Sequence, residues 1–284
     1  MKSFLKFCKF HGFGNDYIVI EKDEIAGVSP AHLARSMCRR HLGAGADGIA
    51  VIEKIIDDAA DFYCEIINPD GSLAGFSGNG TRCAVAYLYY KKLWRQPSLQ
   101  LQTKSGIKNY TLIEQMADGY YWFEAEIGKP RFASDEIPIL TESRMDKVID
   151  RNIRVGDVWV KISAVNVGNP VACTFVDDFD LDWRGLGEKL ETHEAFPERA
   201  NIVFAKILDR ENIELRIWER GAGETSASGT CASAAAVLSA MAGRTERTVS
   251  VHSEGGVTEI HWRDDDEILL TGRADLVYCG EWPI

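Results

Sequence analysis

"GFSGNGTRCAVAYLYY", residues 75–90, decides how the chain is read. Glycine and serine crowd its first half, and Ala, Val, Leu and Tyr fill its second. It therefore reads as a loop feeding a helix from Asn79 to about Trp94, with Ser77 at the mouth. A second stretch, "SASGTCASAAAVLSA" from Ser226, repeats the arrangement with Ser228 in the same place. Asn68 stands nine positions before Ser77, and Glu219 nine before Ser228. Each follows an apolar strand and leads through a glycine-containing loop into an Ala-rich helix. The match predicts duplicated halves whose equivalent helix mouths face each other across one cleft.

A helix N-terminus exposes backbone N–H groups without intrahelical partners and carries about half a positive charge. Two of them aimed at one point favour a carboxylate. Gly78, Asn79, Gly229 and Thr230 would supply those amides. Serine is also a preferred N-cap, so the plainer expectation is that Ser77 and Ser228 each cap a helix. Upstream, Glu219 next to Arg220 offers one group for an ammonium and one for a carboxylate. Asn15, Asn68, Asn169 and Asn201 are each expected in a turn, where an amide can reach a ligand and where Asn is also favoured for its backbone conformation alone.

The 284 residues suggest two domains, with a composition (45% hydrophobic, 26% charged) ordinary for a globular protein. A formal charge of −11 argues against nucleic acid or an anionic membrane as the main partner. Cys8, Cys38, Cys64, Cys83, Cys173, Cys231 and Cys279 form a scattered, odd set without a C-x-x-C pair, which predicts reduced thiols and a cytoplasmic setting. The N-terminal "MKSFLKFCKFHGFGND" interrupts its apolar residues with lysines and reads as neither signal peptide nor membrane span.

"FCKFHGFGNDYIVIEKD" is expected to be strand, glycine turn, strand, and "PAHLARSMCRRH" a helix. "ADGIAVIEKI" and "DFYCEIINPDGS" return to strand, and the stretch from Ser98 to Pro130 reads as three short strands. The chain changes unit around Lys129–Pro130. "VWVKISAVNVGNPVACTFVDD" is strand, turn, strand, and the C-terminal residues are strands around a turn at Asp264–Asp266. "GAGADG" at 43–48 fits G-x-G-x-x-G, yet a helix precedes it and a strand follows, the reverse of dinucleotide-fold order. The histidines show no metal-ligand spacing, and no metal or nicotinamide site is expected.

"HGFGNDYIVIE", "GAGADG", "NPDGS", "GNGTRCAVAYL", "GNP" at 168–170, "RANIVF" and "ERGAGETSASGT" together resemble, in order and across nearly the whole chain, the successive signatures of the diaminopimelate epimerase family. The resemblance implies an α/β (α+β) fold of two pseudo-symmetric domains, each a curved mixed sheet around a central helix. It places them at 1–124 plus 274–284 and at 125–273, with the ligand cleft between. It further implies a cofactor-independent amino-acid epimerase converting LL- to meso-diaminopimelate in lysine and cell-wall biosynthesis, and a homodimer with Tyr278 at the contact. In that family the distal end of the substrate is held by residues matching Asn68, Asn169, Asn201, Glu219 and Arg220, with Asn15 nearby. The reacting carboxylate sits on the amides of Gly78, Asn79, Gly229 and Thr230.

The catalytic positions depart from the pattern. The family's two cysteine bases fall on Ser77 and Ser228, and a histidine usual after the "GNP" turn is Val171. A thiol titrates near ~8.5 and an alcohol near ~15.7, a gap of roughly 7 units or about 10 kcal/mol. A helix N-terminus supplies only about 0.3–2 kcal/mol. Normal two-thiol epimerisation is therefore expected to be absent or impaired unless an adjacent base serves the serine. Two alternatives follow: a relative with another isomerase or dehydratase reaction using one carboxylate base, and a non-catalytic amino-acid-binding protein.

Overall fold

The computed structural model describes residues 4–25, 27–57, 59–74 and 77–284, so Gly75 and Phe76 of the first mouth loop lie outside the described residues. Strands dominate a mixed α/β fold with few helices. The chain divides into two compact units, Met1–Ala125 with Thr271–Ile284, and Glu126–Leu270.

The first unit runs β1 (Phe4–Gly12), β2 (Asn15–Glu21), α1 (Pro30–Met37), β3 (Gly48–Asp57), β4 (Ala60–Ile67), α2 (Gly78–Tyr90), β5 (Ser98–Thr103), β6 (Gly106–Ala117) and β7 (Tyr120–Gly128), which passes into the second unit after Ala125. The second runs β8 (Val148–Val155), β9 (Val158–Asn166), β10 (Pro170–Val176), α3 (Trp183–Glu191), β11 (Asn201–Ile207), β12 (Asn212–Glu219), β13 (Gly223–Glu224), α4 (Gly229–Met241), β14 (Thr248–Ser253) and β15 (Gly256–Trp262). The last strand, β16 (Ile268–Pro283), belongs to the first unit from Thr271 onward.

One pairing order repeats in both units. Antiparallel β1–β2, parallel β2–β3, antiparallel β3–β4, parallel β4–β5 and antiparallel β5–β6 are matched by β9–β10, β10–β11, β11–β12, β12–β14 and β14–β15. Parallel neighbours need a crossover, and each parallel step holds a helix: α1 and α2 in the first unit, α3 and α4 in the second. In the first unit, β16 lies beside both β1 and β7 and closes the strands into a barrel.

Among the described residues the four α-helices divide by burial. Every residue from Asn79 to Leu88 of α2, and from Cys231 to Ser239 of α4, is buried. Helices covered all round are interior elements, which the small residues Gly80, Ala84, Ala234 and Ala235 permit. Each fully buried Val or Leu on them contributes about 1.5–3 kcal/mol. By contrast α1 buries Leu33, Ala34 and Met37, and α3 buries Trp183, Gly187, Leu190 and Glu191, so each covers the sheet with one face.

Three sequence expectations need correction. Helix α2 stops at Tyr90 rather than near Trp94, because Lys92 turns left-handed (φ 59°) and the Leu93 amide folds back to the Leu88 carbonyl at 2.9 Å. Strand β8 escaped the sequence reading because a register shift between Val148 and Arg151 breaks its alternation. The thiols are not all reduced: Cys8 faces Cys279 in the β1–β16 register, and the two form a disulfide. A sequence separation of 271 residues hides that pair until the barrel closes. The other five cysteines are free and buried. No described helix is long and apolar enough to cross a membrane.

Candidate functional site

The mouth of α2 is built from the ends of β2 and β4. Ser77 caps the helix, its Oγ accepting from the Gly80 amide at 3.1 Å, and the Tyr17 hydroxyl lies 2.8 Å from the same oxygen. Asn79 is buried and linked inward: the buried Arg82 guanidinium donates to its Oδ1, and Arg82 Nε donates to the Arg273 carbonyl at 2.9 Å. Outward, Asn79 Nδ2 donates to Asn15 Oδ1 at 3.2 Å, and Asn15 Nδ2 donates to Asp47 at 2.8 Å. Burial depresses the Arg82 pKa, which is the expected direction for a desolvated cation. Asp16 anchors the base of this network. Burial acts to raise its carboxyl, but Arg40, at 2.6 and 2.9 Å, and Lys9, at 2.7 Å, outweigh burial and hold it below the ordinary range.

Asn68 follows β4 in a turn, donating to Ser72 Oγ at 3.0 Å. Asn15 and Asn201 stand at the first residue of β2 and β11, not in the turns expected for them. Asn15 pairs with Gly12 at the closed end of the antiparallel β1–β2 hairpin, and Asn201 pairs with Val171 at the start of the parallel β10–β11 pair, so both belong to strands.

In the second unit, Glu219 ends β12 and Ser228 precedes α4. Ser228 Oγ makes no cap, contrary to the plainer expectation; it donates instead to Glu219 Oε1 at 2.6 Å. Thr230 Oγ1 lies 3.4 Å from the same hydroxyl. Burial raises the Glu219 carboxyl above its ordinary range, and the bond from Ser228 opposes this without cancelling it. The Arg220 amide donates to Asn201 Oδ1 at 2.9 Å, while the exposed guanidinium reaches the Glu198 carbonyl. Asn169 sits half-buried just after Gly168, whose φ of 103° makes the turn. The buried Glu191 accepts from the Gly221 amide at 2.9 Å and from Trp218 Nε1 at 3.1 Å, which fixes the loop after Glu219.

The strand registers make Tyr17 the counterpart of Val171, Gly48 of Asn201 and Asn68 of Glu219. Tyr17, Arg82, Asp16 and Glu191 were not singled out from the sequence. "GNDY" at 14–17 beside "GNPV" at 168–171 is the signal that marks Tyr17; Glu191 has none nearby. Cys83 and Cys231 both have no exposed surface, and burial pushes the Cys83 thiol up to about 12 and that of Cys231 well above its ordinary value. Neither is a base at neutral pH. Among the described residues no group of His, Cys, Asp or Glu is placed to hold a metal ion.

The sequence model of diaminopimelate epimerase matches residues 7–132 and 163–277. The chain belongs to the diaminopimelate epimerase family. It is 39% identical over 278 residues to the diaminopimelate epimerase of Caldanaerobacter subterraneus subsp. tengcongensis, covering 98% of this chain and 99% of the relative. It is 36% identical over 282 residues to that of Pelotomaculum thermopropionicum, with the same coverage. Among solved structures, a hydroxyproline epimerase from Agrobacterium vitis with bound trans-4-hydroxy-L-proline superposes with a TM-score of 0.69 at 16% identity, over 99% of this chain and 91% of that one. A Bacillus anthracis phenazine biosynthesis protein of the PhzF family gives 0.67 at 17% identity, over 100% of both chains. At these identities the two structures share the fold of the family, and the sequence relatives carry the family assignment.

Proposed function

We propose that this chain acts on an α-amino acid of the diaminopimelate class, without a cofactor, and that normal two-thiol epimerisation is impaired because Ser77 and Ser228 occupy the thiol positions. The family membership supports the substrate class. Asn15, Asn68, Asn169, Asn201 and Arg220 hold the distal ammonium and carboxylate, and the amides of Gly78, Asn79, Gly229 and Thr230 receive the reacting carboxylate; Glu219, which the family resemblance sets against the distal ammonium, is taken here as the base beside Ser228. The observation that carries the catalytic half is the 2.6 Å bond from Ser228 to Glu219. A serine needs an adjacent base, and a carboxylate at hydrogen-bond distance is one. Ser77 has a phenol beside it instead. Among the described residues a carboxylate base thus stands beside Ser228 and none beside Ser77, which favours removal of the α-proton over inversion.

Incubation of LL-diaminopimelate in D2O tests this reading. The parent is expected to incorporate deuterium slowly with retained configuration, and the Ser77→Cys/Ser228→Cys variant to exchange rapidly with inversion. No calorimetric binding of any diamino acid would remove the proposal. Binding without exchange in either protein would leave an amino-acid-binding protein. The same Ser228–Glu219 bond favours a second reading, a one-base isomerisation or dehydration. Turnover of an amino-acid-like substrate by the parent, lost on Glu219→Gln, would establish it. A cytoplasmic homodimer with Tyr278 at its contact belongs to the first reading and is checked by sedimentation of the parent against Tyr278→Ala.

A further inference from the structure

Tyr17 is buried, and two glycines shape the slot that holds its ring. A Cβ at Gly48 would meet Tyr17 Cε1 at 2.7 Å, and one at Gly80 would meet the same atom at 2.9 Å. No other residue type leaves that slot open, because contacts below about 3 Å are repulsive and the neighbouring Ile67 carbonyl, 2.9 Å from the Gly48 position, is backbone. The ring is thereby aimed so that its hydroxyl meets Ser77 Oγ at 2.8 Å. Gly80 also lies in the first turn of α2, and its amide already donates to that oxygen.

The direction of the Tyr17–Ser77 bond follows from acidity. A phenol titrates near ~10 and an alcohol near water's ~15.7, so the phenol is the stronger donor. A serine hydroxyl has two acceptor sites and one proton. With Gly80 and Tyr17 both donating, both acceptor sites are filled, so the Ser77 hydroxyl can meet a third group only as a donor. We propose that Tyr17 is a positioning residue that fixes the group at position 77 as a hydrogen-bond donor and stabilises negative charge on it. The arrangement at Ser228 is the opposite, since there the serine proton goes to Glu219. The inference rests on the amino-acid reading only in taking position 77 as a reacting group; its test needs no substrate.

The test uses the thiol introduced by Ser77→Cys. Five cysteines are buried and two are bonded to each other, so alkylation above the level of the parent reports position 77. The rate of iodoacetamide labelling against pH gives the thiol's titration midpoint. Adding Tyr17→Phe keeps the ring and removes the donor. The midpoint is expected to rise by about one unit, with about a tenfold slower rate below it. A profile unchanged by Tyr17→Phe, at matched folding by circular dichroism, would overturn the proposal. Gly80→Ala displaces the ring while keeping the phenol, and is expected to raise the midpoint in the same direction; no shift there would count equally against it. Failure of the D2O experiment would leave this titration intact, so the two readings fail separately.

Discussion

The mouths of α2 and α4 repeat one backbone design and hold their serines in opposite ways. Ser77 caps its helix and lies against a phenol; Ser228 leaves its helix uncapped and gives its proton to a carboxylate. The difference arises at two positions on or just after the strands that flank each mouth. Tyr17 and Asn68 stand there in the first unit, Val171 and Glu219 in the second. A duplicated scaffold thus fixes where a reacting group sits, while the neighbouring strands decide what proton chemistry it can perform.

Removing the carboxylate should have the largest effect on this asymmetry. Glu219→Gln is expected to slow α-proton exchange at least about a hundredfold, the usual range for a general base, as measured by deuterium incorporation. Equal exchange in parent and variant would show that the second mouth has no special base. The units differ in covalent closure too. Cys8→Ser should destabilise the first unit by about 2–4 kcal/mol, since the Cys8–Cys279 bond closes a long loop. Amide exchange should accelerate in β1 and β16 while β14 and β15 stay protected. Uniform acceleration through both units would contradict separate stabilisation.

The caps give a smaller contrast. Ser77→Ala should cost about 1 kcal/mol in denaturant unfolding through the lost cap, and Ser228→Ala less, because its Oγ caps nothing. The smallest expected effect is on stability against pH. Glu219 has a folded-state pKa raised by burial above its ordinary 4.5. Its contribution is present below that value and is lost as pH rises through the raised one. Melting temperatures should therefore shift in favour of Glu219→Gln relative to the parent as pH increases across this window. A difference independent of pH would mean that Glu219 is not desolvated.

Local residue order is enough to place the helix mouths. Ser-Gly before an Ala-rich run, glycines in the loops, and the spacing from Asn68 and Glu219 are short-range features, and backbone conformation and helix-end amides follow from a few adjacent residues. It also marked the repeat, because the same local signals recur. Which side chain reaches which serine depends on how the strands and helices pack. Tyr17 lies 60 residues from Ser77, and meets it because β2 pairs with β3 at Gly48 while α2 passes beneath with Gly80. Cys8 meets Cys279 only once β16 lies beside β1, and Glu191 clamps the loop after Glu219 from a different helix. Strand register sets these contacts, and register depends on how whole faces are buried, a long-range property that no single stretch of the chain contains.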